Sequence, residues 1–150
     1  MSLLDYVVDL SRKNYEQIGF LPEPRLQDYL FRGQLWSEKE NDEWCGFMVW
    51  GAGFPVLRIY QICIQYDARR REHGFRLVRR LIDKADREGY EAISCYVAED
   101  IDANAFWREA GFTMIGQRFT NNRRGRKHNH WVMWMPNPMQ GQLLIQEPSR

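Results

Sequence analysis

Between two apolar segments the chain runs Ala68-Arg-Arg-Arg-Glu-His-Gly-Phe-Arg-Leu-Val-Arg-Arg80, with six arginines, one histidine and one glycine. Residues of these types can do three things. Guanidinium forks bind phosphate or carboxylate through paired hydrogen bonds. A glycine at the mouth of a helix lets an anion reach unpaired first-turn N–H groups at the positive end of the macrodipole. A dense basic run can also grip a nucleic-acid backbone. Arg69, Arg70, Arg71, Glu72, His73, Gly74 and Phe75 are therefore the candidate phosphate-binding residues.

Proton-transfer candidates lie further on. Glu99 follows a strand end and can act as a base through a water, while Tyr96 and Tyr60 carry hydroxyls able to donate a proton. His73 can cap its helix or touch phosphate. His128 and His130 are spaced i, i+2 without another histidine or a cysteine pair nearby, so no metal site is expected. A second basic cluster, Arg118, Arg123, Arg124, Arg126 and Lys127, can supply phosphate contacts to RNA or meet an acidic protein surface. Aromatic residues do not interleave with it as a base-stacking platform would require.

The elements that must position these groups follow from periodicity. Leu4, Val7, Val8, Tyr15 and Ile18 predict a helix over residues 4–17. Pro24 can open a shorter one that Gly33 ends. Strands are expected at 35–39 and 44–50 around the turn Glu40-Asn41-Asp42-Glu43, then at 56–65, where Ile59, Gln61 and Cys63 alternate with Tyr60, Ile62 and Ile64. That run is apolar enough to be covered on both faces. Phe75, Val78, Leu81, Ile82 and Ala85 form the stripe of an amphipathic helix over 73–88, with Gly89 as its C-cap. A strand at 92–98, a helix at 104–110 and strands at 112–119 and 130–135 complete the order α-α-β-β-β-α-β-α-β-β. Residues 1–135 are read as one α/β domain and 136–150 as an extension whose Leu143-Leu144-Ile145 patch can contact a partner.

Composition narrows the field. The 150 residues carry 21 Lys+Arg against 20 Asp+Glu, so any positive field is local rather than global. No basic start precedes a long apolar run and no stretch is long enough to span a bilayer, so neither a leader nor a membrane helix is expected. Cys45, Cys63 and Cys95 are odd in number and widely spaced, which reads as three buried thiols in the cytoplasm.

Two runs together, ICIQYDARRREHGFRLVRRL and ANAFWREAGF, resemble the GNAT superfamily of acetyl-coenzyme A dependent N-acetyltransferases. Arg69 takes the first position of that family's phosphate loop (Arg/Gln-x-x-Gly-x-Gly/Ala), Glu72 the first glycine and Gly74 the second, with Leu77 and Leu81 on the apolar positions of its helix. Asp100, Ala103, Phe106, Trp107, Gly111 and Phe112 occupy the family's second block. IGFLPEPRLQDYLFRGQLW looks like the first-helix region of a bacterial branch, and the resemblance spans roughly residues 5–135.

The resemblance implies a mixed, mostly antiparallel sheet splayed at a V-shaped opening and flanked by helices, with acetyl-coenzyme A as co-substrate and no metal. Its pantetheine would pair with the backbone of Ile62, Cys63 and Ile64. Its pyrophosphate would rest on the N–H groups of residues 70–74, and Asn104 and Trp107 would lie near the thiol. Direct attack of a primary amine then needs a base, a donor for the oxyanion and an acid for the thiolate. On this assignment Gly74→Asp is expected to abolish cofactor binding and leave the fold largely intact.

Four residues depart from the family pattern. Glu72 brings a carboxylate beside the phosphates. Trp107 stands where a tyrosine often serves as the acid, Asp100 stands for an asparagine, and Arg58 falls where some relatives carry a glutamate base. Two other readings therefore stand beside the transferase. One is a catalytically weakened GNAT-fold module that binds acyl-coenzyme A or a partner. The other is a nucleic-acid-binding module using both arginine clusters. The acceptor is a small-molecule or peptide amine, the connection at Arg118 to Lys127 and Trp36, Trp44 and Trp50 are placed to border its pocket, and the chain is a monomer or homodimer.

Overall fold

A short capping box starts the chain's first helix, α1 (Leu3–Lys13): Ser2 Oγ accepts from the Asp5 N–H at 3.1 Å and the Ser2 N–H reaches the Asp5 carboxylate at 3.4 Å. The helix expected over 4–17 is broken at Asn14, whose amide donates back to the Leu10 carbonyl at 2.9 Å. One further turn, α2 (Tyr15–Ile18), ends at Gly19 in the left-handed region, φ 80°. Pro22 and Pro24 then open α3 (Glu23–Phe31). The computed structural model describes residues 1–119 and 125–136. Arg123, Arg124 and Leu143-Leu144-Ile145 lie outside the described residues.

Six strands follow: β1 (Leu35–Glu40), β2 (Glu43–Gly53), β3 (Val56–Ile64), β4 (Ala92–Ala98), β5 (Thr113–Phe119) and β6 (Lys127–Trp134). They form one mixed sheet in the order β1-β2-β3-β4-β6-β5, with β3 and β4 its parallel pair. The last strand begins at Lys127 rather than 130, so part of the expected basic loop is sheet. On one face α1 and α3 pack Val7, Leu10, Leu26 and Tyr29 against Phe47, Val49 and Cys63. The other face holds α4 (His73–Glu88) and α5 (Ala103–Glu109), which bury Leu77, Leu81 and Trp107 against Met48, Leu57, Ile93 and Trp131. Gly89 closes α4 at φ 78°.

The sheet opens at one place. β3 and β4 pair from Val56↔Ala92 to Ile59↔Cys95, and beyond that β3 pairs only with β2 and β4 only with β6. There the β2–β3 register slips, from Val49↔Gln61 to Trp50↔Ile59, so Tyr60 is an extra residue in β3. A bulge bends its strand and re-aims side chains. Ile59 packs on the α4 side, Tyr60 meets Tyr29 at 5.6 Å on the α3 side, and Cys63 stays there while Ile62 and Ile64 turn to the α4 side. The uninterrupted alternation expected along 56–65 is thus corrected: the bulge shifts its phase by one residue.

Candidate functional site

The gap between the separated ends of β3 and β4 is floored by apolar side chains. Ile59 and Ile62 line it from β3, Cys95 and Val97 from β4, and Ile101 and Trp107 from below. Trp107 is buried and edge-on to Phe106 and Phe112, with ring centroids at 5.1 and 4.9 Å. The edge of β3 facing the gap is unpaired, so the backbone of Ile62, Cys63 and Ile64 is what that strand offers. The Cys63 side chain is turned into the α1–α3 core.

β3 runs into a 3₁₀ turn (Tyr66–Ala68) and then into α4. Arg70 and Glu72 both adopt left-handed backbone, φ 65° and 71°, an alternation that turns successive N–H groups toward a common concavity. Among the described residues the N–H groups of residues 70–75 have no partner. Glu72 is the helix N-cap, yet its exposed carboxylate makes no capping bond and leaves that concavity open.

The arginines of this stretch are mostly engaged. Arg69 Nε donates to Ile64 O at 2.8 Å and its NH2 group to Asn14 Oδ1 at 3.1 Å, which ties the strand end to α1. Arg71 donates to both Glu40 carboxylate oxygens at 2.9 Å. Arg76 reaches Glu38 at 3.3 Å, and Arg80 lies 4.1 Å over the Trp36 ring. His73 is buried, its Nδ1 3.0 Å from Glu38 and its Nε2 3.6 Å from Glu40. Arg70 and Arg79 have no partner among the described residues. Two carboxylates from β1 therefore hold the loop and the first turn of α4.

Asn104 is a hub behind the gap. Its amide donates to the carbonyls of Ala98 and Ile101, both at 2.9 Å, and its Oδ1 accepts from Asn129 Nδ2 and Trp131 Nε1, both at 2.9 Å. Gln117 extends the network, donating to Asn129 Oδ1 at 2.8 Å and to Glu99 at 3.0 Å. Glu99 therefore stands on the α5 side of the sheet.

Tyr96 stands on the opposite face. Its ring stacks on His130 at 4.3 Å, with the Arg118 guanidinium 3.4 Å and the Arg58 guanidinium 5.6 Å from its centroid. Residues 129 and 130 alternate on β6, so the structure does not bring Glu99 and Tyr96 together. Burial first, then Arg58 and Arg118, hold the proton affinity of His130 below its ordinary value. Burial, Arg118 and Arg126 do the same to His128. Periodicity did not foresee that Arg58 and His130 meet around Tyr96, because the three side chains come from different strands. The only local signal was Arg58's place on a central strand.

Trp36 and Trp50 pack edge-on at 5.2 Å on the α4 side, and Trp44 meets Tyr6 at 5.8 Å, so the first two do not border the acceptor face. Arg126 is tied to the Glu16 carbonyl at 3.1 Å and to Asp100 at 2.9 Å, and Lys127 lies over Phe119. The three cysteines are free and buried. Burial pushes the Cys63 thiol up to about 11, and that of Cys95 higher still.

The sequence matches the model of the acetyltransferase (GNAT) family over residues 4–112. Ard1 from Thermoplasma volcanium superposes with a TM-score of 0.79 at 12% identity, covering 89% of this chain and 92% of that one. An aminoglycoside 6'-N-acetyltransferase complexed with coenzyme A gives 0.75 at 14% identity over 91% and 93%. A ribosomal-protein-alanine N-acetyltransferase from Brucella melitensis gives 0.73 at 12% over 87% and 93%. At such identities the likeness is one of fold. No curated protein matches the sequence.

Proposed function

The chain belongs to the acetyltransferase (GNAT) family, and on that premise we propose that it moves an acetyl group from acetyl-coenzyme A to a primary amine by direct attack in a ternary complex. One observation carries the reading. The unpaired edge of β3 beyond Ile59 leads directly into the partnerless N–H groups of residues 70–75, so a gap for an extended chain and a cradle for phosphate lie end to end.

The residues fit such a co-substrate. The N–H groups of residues 70–75 would hold its pyrophosphate with Arg70 as a free cation beside them. The backbone of Ile62 to Ile64 would pair with its amide groups, and Trp107, Val97 and Ile101 would keep water from the thioester end. Acetyl-coenzyme A supplies the activated acetyl group. On the face where Tyr96 stands, His130, kept neutral by burial and by two arginines, takes the proton of the amine. The Tyr96 hydroxyl, which has no hydrogen-bond partner among the described residues, returns a proton to the thiolate. Glu99, held by Gln117 across the sheet, is left with a supporting role.

Thermal melting with and without acetyl-coenzyme A tests this first. Saturation at 100 times the dissociation constant stabilises by about 2.7 kcal/mol, and no shift at millimolar concentration would sink the reading. Thiol release across a panel of amines is expected next. A shift without release would identify an acyl-coenzyme A binding module instead, the outcome that Trp107 in place of a phenol favours.

A further inference from the structure

On the transferase reading of the gap, the amine approaches from the face of the sheet that carries Tyr96. We propose that the acceptor bears a compact oxyanion, a carboxylate or a phosphate, close to its amine, and that Arg58 and Arg118 grip it beside the Tyr96–His130 stack. The inference rests on that reading and adds the substrate class.

Arg58 projects from β3 and Arg118 from β5, strands that are not neighbours in the sheet, yet both guanidinium groups converge on one tyrosine ring. Neither makes a salt bridge or a hydrogen bond among the described residues. Two carboxylates that follow β4 are committed elsewhere, Asp100 to Arg126 at 2.9 Å and Glu99 to Gln117 on the other face. A single arginine on an exposed aromatic ring is an ordinary surface contact. Two that converge without a counter-charge repel one another, and an anion placed between them relieves that repulsion. The forked donors of arginine match the oxygens of a carboxylate or phosphate.

The floor beside the stack is open. Gly116 faces His130 across β5 and β6, and a Cβ there would meet nothing within 4 Å. The same positive field also serves the chemistry. It disfavours an ammonium ion near the thioester, so the amine is presented as the free base that attacks.

Four probes test the proposal: β-alanine against β-alaninamide, and phosphoethanolamine against ethanolamine, each titrated calorimetrically with and without coenzyme A. Thiol release from acetyl-coenzyme A is measured in parallel. The anionic member of at least one pair is expected to bind about tenfold more tightly than its neutral partner, and the preferred pair identifies carboxylate or phosphate. Arg58→Gln and Arg118→Gln should each remove most of that preference while the melting shift given by acetyl-coenzyme A stays unchanged. Equal or absent binding of all four probes, or a preference that survives in the double variant, overturns the proposal. Loss of the acetyl-coenzyme A shift in the unmodified protein would instead overturn the transferase reading, with the oxyanion preference still measurable on the free protein.

Discussion

Gly74 in the first turn of α4 faces the ring edge of Phe106 in α5 so closely that a Cβ there would lie 2.9 Å from Cε1 and 3.2 Å from Cζ. The ring cannot easily retreat, because Phe106 stacks on Phe75 at 4.7 Å and meets Trp107 edge-on at 5.1 Å. The glycine therefore seats one helix on another as well as keeping the loop open to an anion. Gly74→Ala is expected to destabilise the domain by about 1–3 kcal/mol through overpacking. It should also weaken acetyl-coenzyme A binding as the first turn is displaced. Urea melts and cofactor titration check both. Gly74→Asp would meet the same ring, so a loss of stability is expected beside the loss of cofactor binding.

Glu72 holds a left-handed backbone, φ 71°, with an exposed and unbonded carboxylate at the mouth of the loop. Left-handed backbone costs a residue with a Cβ about 1–2 kcal/mol, and glycine gives back about 0.5–1 kcal/mol in chain entropy. Glu72→Gly should therefore raise stability slightly, by about 0.5 kcal/mol. Removing the charge beside two phosphates should also tighten acetyl-coenzyme A roughly fivefold. Glu72→Gln separates the terms, since it should tighten binding without the gain in melting temperature.

Asn104 satisfies two buried donors, Asn129 Nδ2 and Trp131 Nε1, besides holding the carbonyls that follow β4. Asn104→Ala leaves those donors without partners, and a loss of about 2–4 kcal/mol is expected in denaturant melts. A variant as stable as the parent would show that other groups, or water, satisfy them.

His128 and His130 have proton affinities below their ordinary value of 6.5 in the folded chain. The unfolded state therefore binds more protons below about pH 6.5. Their contribution to stability is present above that pH and is lost as pH falls through the lower folded values. Melting temperature should decline over this acid range, and less steeply in a His128→Gln, His130→Gln double variant. Parallel profiles for the two proteins would remove these histidines as the cause.

The strand, loop and helix that build the phosphate cradle were legible because their signals are local. Residues 56–65 are dense in β-branched side chains, α4 carries an apolar stripe with a glycine at its end, and the loop motif lies between them. The break at Asn14 and the earlier start of β6 were missed because they depend on how a side chain or strand finds its partner.

What the sequence by itself determined was the kind of molecule: one α/β domain with a basic, glycine-bearing turn after a central strand, similar to a family that binds acetyl-coenzyme A. The tertiary structure decided which of those charges are free. Glu38 and Glu40, some thirty residues before the loop, neutralise Arg71 and Arg76 and fix His73. It also decided where β3 and β4 part, since the bulge at Tyr60 exists only in the pairing with β2. The meeting of Arg58, Arg118, Tyr96 and His130 required the order β3-β4-β6-β5. Local periodicity reports the face a residue takes within its own element. Register and charge pairing are set between elements far apart in the chain, and only the folded sheet brings those partners within a few ångströms.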